Sequence, residues 1–299
     1  MARTARNWPH IPDVAMSVAV TFWGTRGTIP VPGAGTARFG GNTPCVSIRD
    51  GTGHCVILDA GTGIRGLGHA LRSTAATRVD LFLSHVHWDH IQGLPFFTPM
   101  YADGQDIHIY GPTPEGITLE TVLERQLDAA VFPVPRSARA GRVTVREISA
   151  GLALDVPGFR IRTCQLSHPG GALGYRVTPV GGGPDIAYLT DNELGPGGAG
   201  RVPAGWRDDI TAFVKGTSLL IHDAMYTPSL AEERSGWGHS SATEAVTLAA
   251  AAGVGHLVLF HHDPDHEDSQ IEGLLAMARA AAPAGLPVNA AHEGWMVAL

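Results

Sequence analysis

The chain has 299 residues, 44% of them hydrophobic and 16% charged, which is the composition of a globular protein with a sizeable core. Its formal net charge of −7 and its single lysine, Lys215, argue against a protein that grips a long nucleic acid over a basic face. No apolar run reaches the length of a membrane span, and the three cysteines are odd in number, so we expect a cytoplasmic protein with free thiols.

The first third of the chain predicts short strands joined by glycine-rich turns. We interpret residues 1–15 as a flexible N-terminal arm and residues 16–299 as a single domain. The apolar run 18–23 predicts the first strand. Two further runs, 45–48 and 55–58, flank a sequence typical of a β-hairpin turn.

Further along, strands and helices alternate without a linker of low complexity. The helices that we predict are 64–71, 115–129, 240–252 and 268–282. The remaining predicted strands are 79–84, 106–110, 159–166, 173–178, 186–190, 218–222, 256–260 and 297–299. This alternation favours sheets packed face to face with helices outside.

The segment FLSHVHWDH, residues 82–90, crowds potential metal ligands at the predicted end of a strand. His85 and His87 are two positions apart, so on an extended backbone both imidazoles point to the same side and can reach one metal. Asp89 and His90 follow after a turn and can serve a second metal nearby. Imidazole and carboxylate ligands suit Zn²⁺, with Mn²⁺ or Fe as alternatives.

Four ligands do not fill two metal sites, so others must come from elsewhere in the chain. His168, Asp191 and the pair His261-His262 each supply the first strongly polar group after an apolar strand. The residues alone leave open which of His261 and His262 is the ligand.

Taken in order, HVHWDH, His168, Asp191 and His261 resemble the dinuclear hydrolases of the metallo-β-lactamase superfamily over residues 18–299. The resemblance implies an α/β fold, a four-layer αββα sandwich. It implies a first metal on His85, His87 and His168, a second on Asp89, His90 and His261, and Asp191 as the bridge. It favours His261 over His262, because the superfamily's last histidine directly follows the strand. Asp59 resembles the structural aspartate that steadies the histidine loop, although a helix-capping role is the alternative.

Such a site holds two divalent metal ions, most simply Zn²⁺, which share a water and lower its pKa so that the bridging hydroxide attacks the substrate. Segments 219–227 and 236–249 resemble the phosphodiesterase branch, which includes the tRNA 3′-end endonucleases and cyclic-nucleotide phosphodiesterases. The candidate catalytic residues are then Asp89, Asp223 and His239. His239 would donate a proton or stabilise the phosphorane oxygens while Asp223 orients it.

One departure bears on the substrate. The tRNA endonucleases carry a basic, glycine-rich arm, whereas only 22 residues separate His168 from Asp191, and they include one arginine, Arg176. We therefore expect a small phosphodiester such as a cyclic nucleotide as the substrate, with no large nucleic acid and no membrane as partners. The alternatives are a lactonase or thioesterase of the same fold, and a metal-stabilised binding protein without activity.

Three features stay open at this level. The FWGTRGTIPVPG segment resembles the opening loop of the branch, and Arg26 either lines the substrate cleft or is structural. We interpret residues 123–135 as a lid over the cleft. Phe132 would then stack on a base of the substrate; the alternative is that it packs on the core. Homodimers are common in this branch, but no interface can be read from the sequence.

Overall fold

A computed structural model of the protein describes residues 18–74, 76–195 and 202–299, so the predicted arm at residues 1–15 lies outside the described residues. In chain order the strands are β1 (Ala19–Gly24), β2 (Cys45–Arg49), β3 (Cys55–Leu58), β4 (Arg78–Phe82), β5 (Asp106–Gly111), β6 (Arg142–Glu147), β7 (Ala153–Val156), β8 (Phe159–Leu166), β9 (Ala172–Pro179), β10 (Ile186–Leu189), β11 (Leu219–Asp223), β12 (Leu257–Phe260), β13 (Val288–Ala290) and β14 (Met296–Ala298). The α-helices are α1 (Ile64–Leu71), α2 (Trp88–Ile91), α3 (Leu119–Arg125), α4 (Trp206–Val214), α5 (Pro228–Glu233), α6 (Ala242–Ala251) and α7 (Asp268–Ala281).

The strands form two mixed sheets that pack face to face. The first has the order β14-β1-β2-β3-β4-β5-β6 and the second the order β13-β12-β11-β10-β9-β8-β7. Buried aromatic rings join the sheets, with Phe22 6.1 Å from Phe260 and Phe82 5.5 Å from Tyr175 between ring centroids. Helices α1 and α3 cover the outer face of the first sheet, and α4, α6 and α7 cover that of the second. The predicted αββα sandwich is confirmed.

Each sheet contains a block of parallel strands, β3 to β6 in the first and β10 to β13 in the second. The carboxyl ends of parallel strands lie at one edge of a sheet, which is where α/β proteins place their sites. The loops after β4, β10 and β12 carry the histidine cluster, Asp191 and His261.

Several elements differ from the predictions. Helix α3 spans Leu119–Arg125 rather than 115–129, because Thr118 caps it and accepts a hydrogen bond from the Thr121 amide. Strands β6, β7 and β13 and helices α2, α4 and α5 were not predicted. Strand β6 is an exposed edge strand without the apolar run that marks the buried strands. No helix in the described ranges combines the length and the apolar character that crossing a bilayer requires.

Candidate metal centre

The histidine cluster begins where the first sheet ends. Strand β4 stops at Phe82, two residues before the predicted end at residue 84, and His85 and His87 lie in the loop that follows it. His87 has an extended backbone (φ −62°, ψ 153°) and precedes the single turn of α2, which carries Asp89 and His90. A short loop followed by one helical turn thus turns four donor side chains toward the same point.

The seven residues that the superfamily resemblance proposed as ligands come together in two groups. Within each group the donor atoms lie within 4.8 Å of one another. The first group is His85, His87 and His168, and the second is Asp89, His90, Asp191 and His261.

Asp191 lies between the two groups. Its Oδ2 is 3.7 Å from the Nε2 atoms of both His85 and His168. Its Oδ1 is 3.1 Å from Nε2 of His90 and 3.2 Å from Nε2 of His261. One oxygen therefore faces each group, which is the arrangement of a bridging carboxylate.

The donor set fits two divalent cations. Among the described residues, Nε2 of His85 is buried and has no hydrogen-bond partner. A buried polar atom left unpaired costs about 1–3 kcal/mol, so this nitrogen is expected to have a further partner. Two causes hold the pKa of His85 well below its usual range: burial, which is the larger, and the charge of the nearby His90. The low pKa favours the neutral imidazole, which is the form that binds metals. Nitrogen and carboxylate donors together suit Zn²⁺, Mn²⁺ or Fe.

Asp59 supports the cluster from behind. Its Oδ1 accepts the Ser84 amide at 2.7 Å, and its Oδ2 accepts the Ser84 hydroxyl at 2.9 Å and the Tyr188 hydroxyl at 2.8 Å. The same Oδ2 is 2.8 Å from Nδ1 of His90. Because Nδ1 of His90 is engaged by Asp59, its Nε2 is left to face the site.

The structure separates the adjacent histidines at the end of β12. Nε2 of His261 lies 3.2 Å from Oδ2 of Asp89, within the second group. Nε2 of His262 instead donates to the Ala291 carbonyl at 2.8 Å. His261 therefore reaches the cluster and His262 does not.

Backbone strain concentrates at the same place. In the described ranges, the non-glycine residues with positive φ are Thr28, Asp59, Asp191 and His261. Their φ values lie between 49° and 66°. The Thr28 amide donates to Oδ2 of Asp89 at 2.8 Å, so all four touch the site or form it. Such conformations cost on the order of 1–3 kcal/mol each and are typical of functional sites. No sequence pattern signalled them.

Asp223 and His239 form a pair at the edge of the cluster. Nδ1 of His239 is 2.6 Å from Oδ2 of Asp223, whose Oδ1 accepts the amides of Ser240 and Met225 at 3.0 and 3.2 Å. The His239 ring stacks on His261 with centroids 5.0 Å apart. Burial acts to lower the pKa of His239, but the Asp223 carboxylate outweighs it, and the pKa rises to about 9.

Sequence reasoning missed Glu193, which holds the loop that carries His239. Its buried carboxylate accepts the Gly236 and Gly238 amides, each at 2.9 Å. The Gly238 carbonyl in turn lies 3.1 Å from Nδ1 of His168. A Cβ at Gly238 would lie 2.2 Å from that nitrogen, so the backbone passes very close to His168 here. The two glycines of GWGH, Gly236 and Gly238, are the sequence signal from which this close approach could have been predicted.

The donor groups open into a cleft of about 690 Å³. Its other walls include Trp88, Tyr226, Arg234, Trp237 and Asp263. The guanidinium of Arg234 lies 5.2 Å from the centre of the Tyr226 ring and 5.3 Å from that of Trp237, and its NH1 lies 3.2 Å from Asp263. The cleft thus combines ligand atoms, aromatic surface and a cation.

Arg26 is a structural residue. Its side chain is fully buried and donates to the main-chain carbonyls of Gly40, Asp263 and His266. These bonds tie the glycine-rich loop after β1 to the segment after β12, and the guanidinium does not line the cleft. Of the two roles that the sequence left open, the structure supports the second.

The comparisons with known proteins agree with the fold. Residues 54–262 match the family described as the beta-lactamase superfamily domain. The chain belongs to the metallo-β-lactamase superfamily. The resemblance read from the sequence is thereby confirmed.

The similar proteins come from the phosphodiesterase-like branch or share its fold. Ribonuclease BN of Salmonella typhimurium is 27% identical over 270 residues, which cover 76% of this chain and 85% of that protein. The metallo-β-lactamase fold protein YhfI of Bacillus subtilis aligns with a TM-score of 0.71 at 19% identity, over 95% of this chain and 100% of its own. The short form of human tRNase Z aligns with a TM-score of 0.65 at 22% identity, over 93% and 98%. The chain is a hydrolase of this fold, as predicted.

Proposed function

We propose that this protein is a dinuclear metal-dependent phosphodiesterase that cleaves a small phosphodiester such as a cyclic nucleotide. The observation that carries the proposal is the Asp223–His239 pair, with its 2.6 Å contact, beside the proposed metal ligands. A phosphodiester releases an alkoxide that needs a proton, and a histidine held by a carboxylate supplies one. A thioesterase of the same fold has no evident need for the pair, because a thiolate leaves without protonation. A lactone also releases an alkoxide, so a lactonase is distinguished by direct assay of the two substrate classes.

The roles of the proposed ligands follow their grouping. His85, His87 and His168 would hold one cation, Asp89, His90 and His261 the other, and Asp191 would contact both. Bound divalent cations, for which we propose Zn²⁺, supply Lewis acidity that lowers the pKa of a water and offsets the charge that develops on the phosphoryl oxygens.

The chain's own residues position the reaction. Asp223 engages Nδ1 of His239, so Nε2 is the nitrogen left to serve the substrate. Glu193 fixes the loop before His239 through the Gly236 and Gly238 amides. We infer that Nε2 of His239 donates to the leaving oxygen, a role that typically contributes about 10²–10⁴-fold to the rate.

The size of the cleft and its charge favour a small substrate over RNA. At about 690 Å³ the cleft lies in the range of sites for small molecules, roughly 300–1,000 Å³. Among the described residues a single arginine, Arg234, lines it, and Arg234 is paired with Asp263. Only 22 residues separate His168 from Asp191, and a short turn at 180–185 joins β9 to β10, so this stretch does not contain the basic arm of the tRNA endonucleases. Ribonuclease BN and tRNase Z bear names of RNA-cleaving enzymes, so a precursor tRNA belongs in the test.

The dependence on the leaving group tests the proposal sharply. The metal-loaded wild type and His239→Ala would be compared on 2′,3′-cyclic AMP, which releases an alkoxide, and on bis-p-nitrophenyl phosphate, whose phenolate leaves without protonation. We expect His239→Ala to lose about 10²–10⁴-fold on the cyclic nucleotide and much less on the aryl diester. Equal losses on both would refute leaving-group protonation. Cleavage of precursor tRNA with no turnover of small diesters would overturn the substrate class.

A further inference from the structure

A second groove, here called the side groove, opens beside the metal cleft. It encloses about 400 Å³ between α2 with the turn that follows it and the segment 122–132. Val86 and Trp88 line both the side groove and the cleft. Trp88 stands between His87 and Asp89 in the chain, so the groove begins one residue from two of the proposed ligands. The side groove and the metal cleft therefore share a wall.

The walls of the side groove are aromatic and open to solvent. Trp88 is 72% exposed and Phe96 55% exposed, although large aromatic side chains are usually buried. The Phe96 and Phe132 rings meet edge to face, with centroids 5.6 Å apart. Phe132 thus packs against another groove residue at the rim and does not enter the core. A solvent-exposed aromatic surface next to a reactive centre is typical of a ligand subsite.

A polar side chain also belongs to the lining of the side groove. Gln126 lines the side groove, and its Nε2 is buried with no hydrogen-bond partner in the described part of the chain. An amide N–H left unpaired in this way is destabilising. A ligand that offers a hydrogen-bond acceptor on an otherwise flat, apolar face would remove that cost. An alkyl chain would fill the groove but leave the amide unpaired.

We propose that the side groove binds the nucleobase of the substrate, so that the enzyme acts on a nucleotide phosphodiester. The base lies against the aromatic side chains of Trp88, Phe96 and Phe132, and the Gln126 amide donates to an acceptor on the ring. Stacking on aromatic side chains tolerates different bases, and the amide adds selectivity among them. The inference rests on the proposed function, since it specifies the substrate of the same site.

Equilibrium binding tests the subsite separately from catalysis. Adenosine 5′-monophosphate and ribose 5-phosphate, which share the sugar phosphate and differ in the base, would be titrated calorimetrically into the metal-loaded protein. We expect the base to strengthen binding and Phe96→Ala to weaken adenosine 5′-monophosphate binding about 5- to 100-fold, with ribose 5-phosphate unchanged. Val180→Ala, which truncates a side chain 66% exposed in the β9–β10 turn, is the matched control.

Gln126→Leu provides a variant with a second readout. Replacing an unpaired buried amide by an apolar group of similar size should leave the thermal midpoint equal or higher. Adenosine 5′-monophosphate binding should nevertheless weaken, so a loss caused by misfolding is excluded. The proposal is overturned if both phosphates bind equally well in the wild type, or if Phe96→Ala and Gln126→Leu change neither affinity. It is also overturned if the groove variants weaken octyl phosphate and not the nucleotide, because the occupant would then be an alkyl chain.

Activity assays distinguish failure of the subsite proposal from failure of the proposed function. If the wild type hydrolyses bis-p-nitrophenyl phosphate and 2′,3′-cyclic AMP, and the groove variants keep the wild-type kcat/KM for the cyclic nucleotide, the phosphodiesterase stands and the subsite falls. If the wild type hydrolyses no phosphodiester, the proposed function itself fails.

Discussion

His239 and Asp223 lie in contact, Nδ1 to Oδ2 at 2.6 Å, although sixteen positions separate them in the chain. Asp223 ends strand β11, and His239 stands in the loop before α6. The contact joins the end of the second sheet to the N-terminal end of a helix and places an imidazole against His261 and His168. The proposed chemistry depends on this pair.

Asp223→Asn should reduce turnover without removing metal. The asparagine can still accept the amides of Ser240 and Met225, but it cannot stabilise a charged His239. We expect kcat on a cyclic nucleotide to fall by about 10²–10⁴-fold. Metal content, measured by elemental analysis, should remain two ions per chain. Loss of an ion would show that Asp223 is itself a ligand.

Separate alanine variants of His261 and His262 should behave differently. His261→Ala removes a donor from the second group, so about one ion per chain should be lost. His262→Ala leaves the Ala291 carbonyl unpaired, so it should keep both ions and unfold about 1–3 kcal/mol more easily. Elemental analysis and chemical denaturation together check both results. The reverse pattern would mean that the ligand is His262.

Asp59→Asn should weaken metal binding although Asp59 contacts no metal in this account. Oδ2 of Asp59 is the partner of the Ser84 hydroxyl, Nδ1 of His90 and the Tyr188 hydroxyl. An asparagine NH₂ group at that position would be a donor facing these donors. Loss of such a supporting partner typically lowers metal affinity about 10–100-fold, which a chelator competition would measure. Tyr188→Phe, which removes one donor and leaves the carboxylate, is the control and should have a smaller effect. An unchanged affinity in Asp59→Asn would limit Asp59 to a purely folding role.

Glu193→Gln should lower kcat more than it lowers stability. The new amide would oppose the Gly236 or Gly238 N–H, and the loop that positions His239 and contacts His168 would shift. We expect kcat to fall about 10–100-fold, as is typical of residues that orient a site's ligands. Glu244→Gln, a matched change in the capping box of α6, should leave kcat near wild type, because glutamine preserves that box. Equal rates in the two variants would contradict the positioning role.

The sequence predicted the fold because its elements follow from local patterns, and the family resemblance supplied the proposed ligand set. Apolar runs marked the buried strands, and HVHWDH, His168, Asp191 and His261 stand directly after them. Glu193 and the strained φ of Asp191 were not visible, because each depends on loops that meet only in the folded chain. The strand that we predicted through Ser84 ends at Phe82, since Ser84 donates to Asp59 instead of continuing the sheet.

The exposed elements were the hardest to predict. Strand β6 lies at a sheet edge, so its residues lack the continuous apolar run that identified β4 and β10. Arg26 could not be assigned from sequence, because its partners Asp263 and His266 are more than 200 positions away. Side-chain burial decided its role.

The class of substrate is the central claim, and one measurement tests it most directly. A single preparation loaded with two Zn²⁺ ions per chain would be assayed for kcat/KM on 2′,3′-cyclic AMP, bis-p-nitrophenyl phosphate, a lactone and a thioester. Our account predicts turnover of the phosphodiesters and little or none of the carbonyl substrates. Turnover confined to the lactone or the thioester would contradict it.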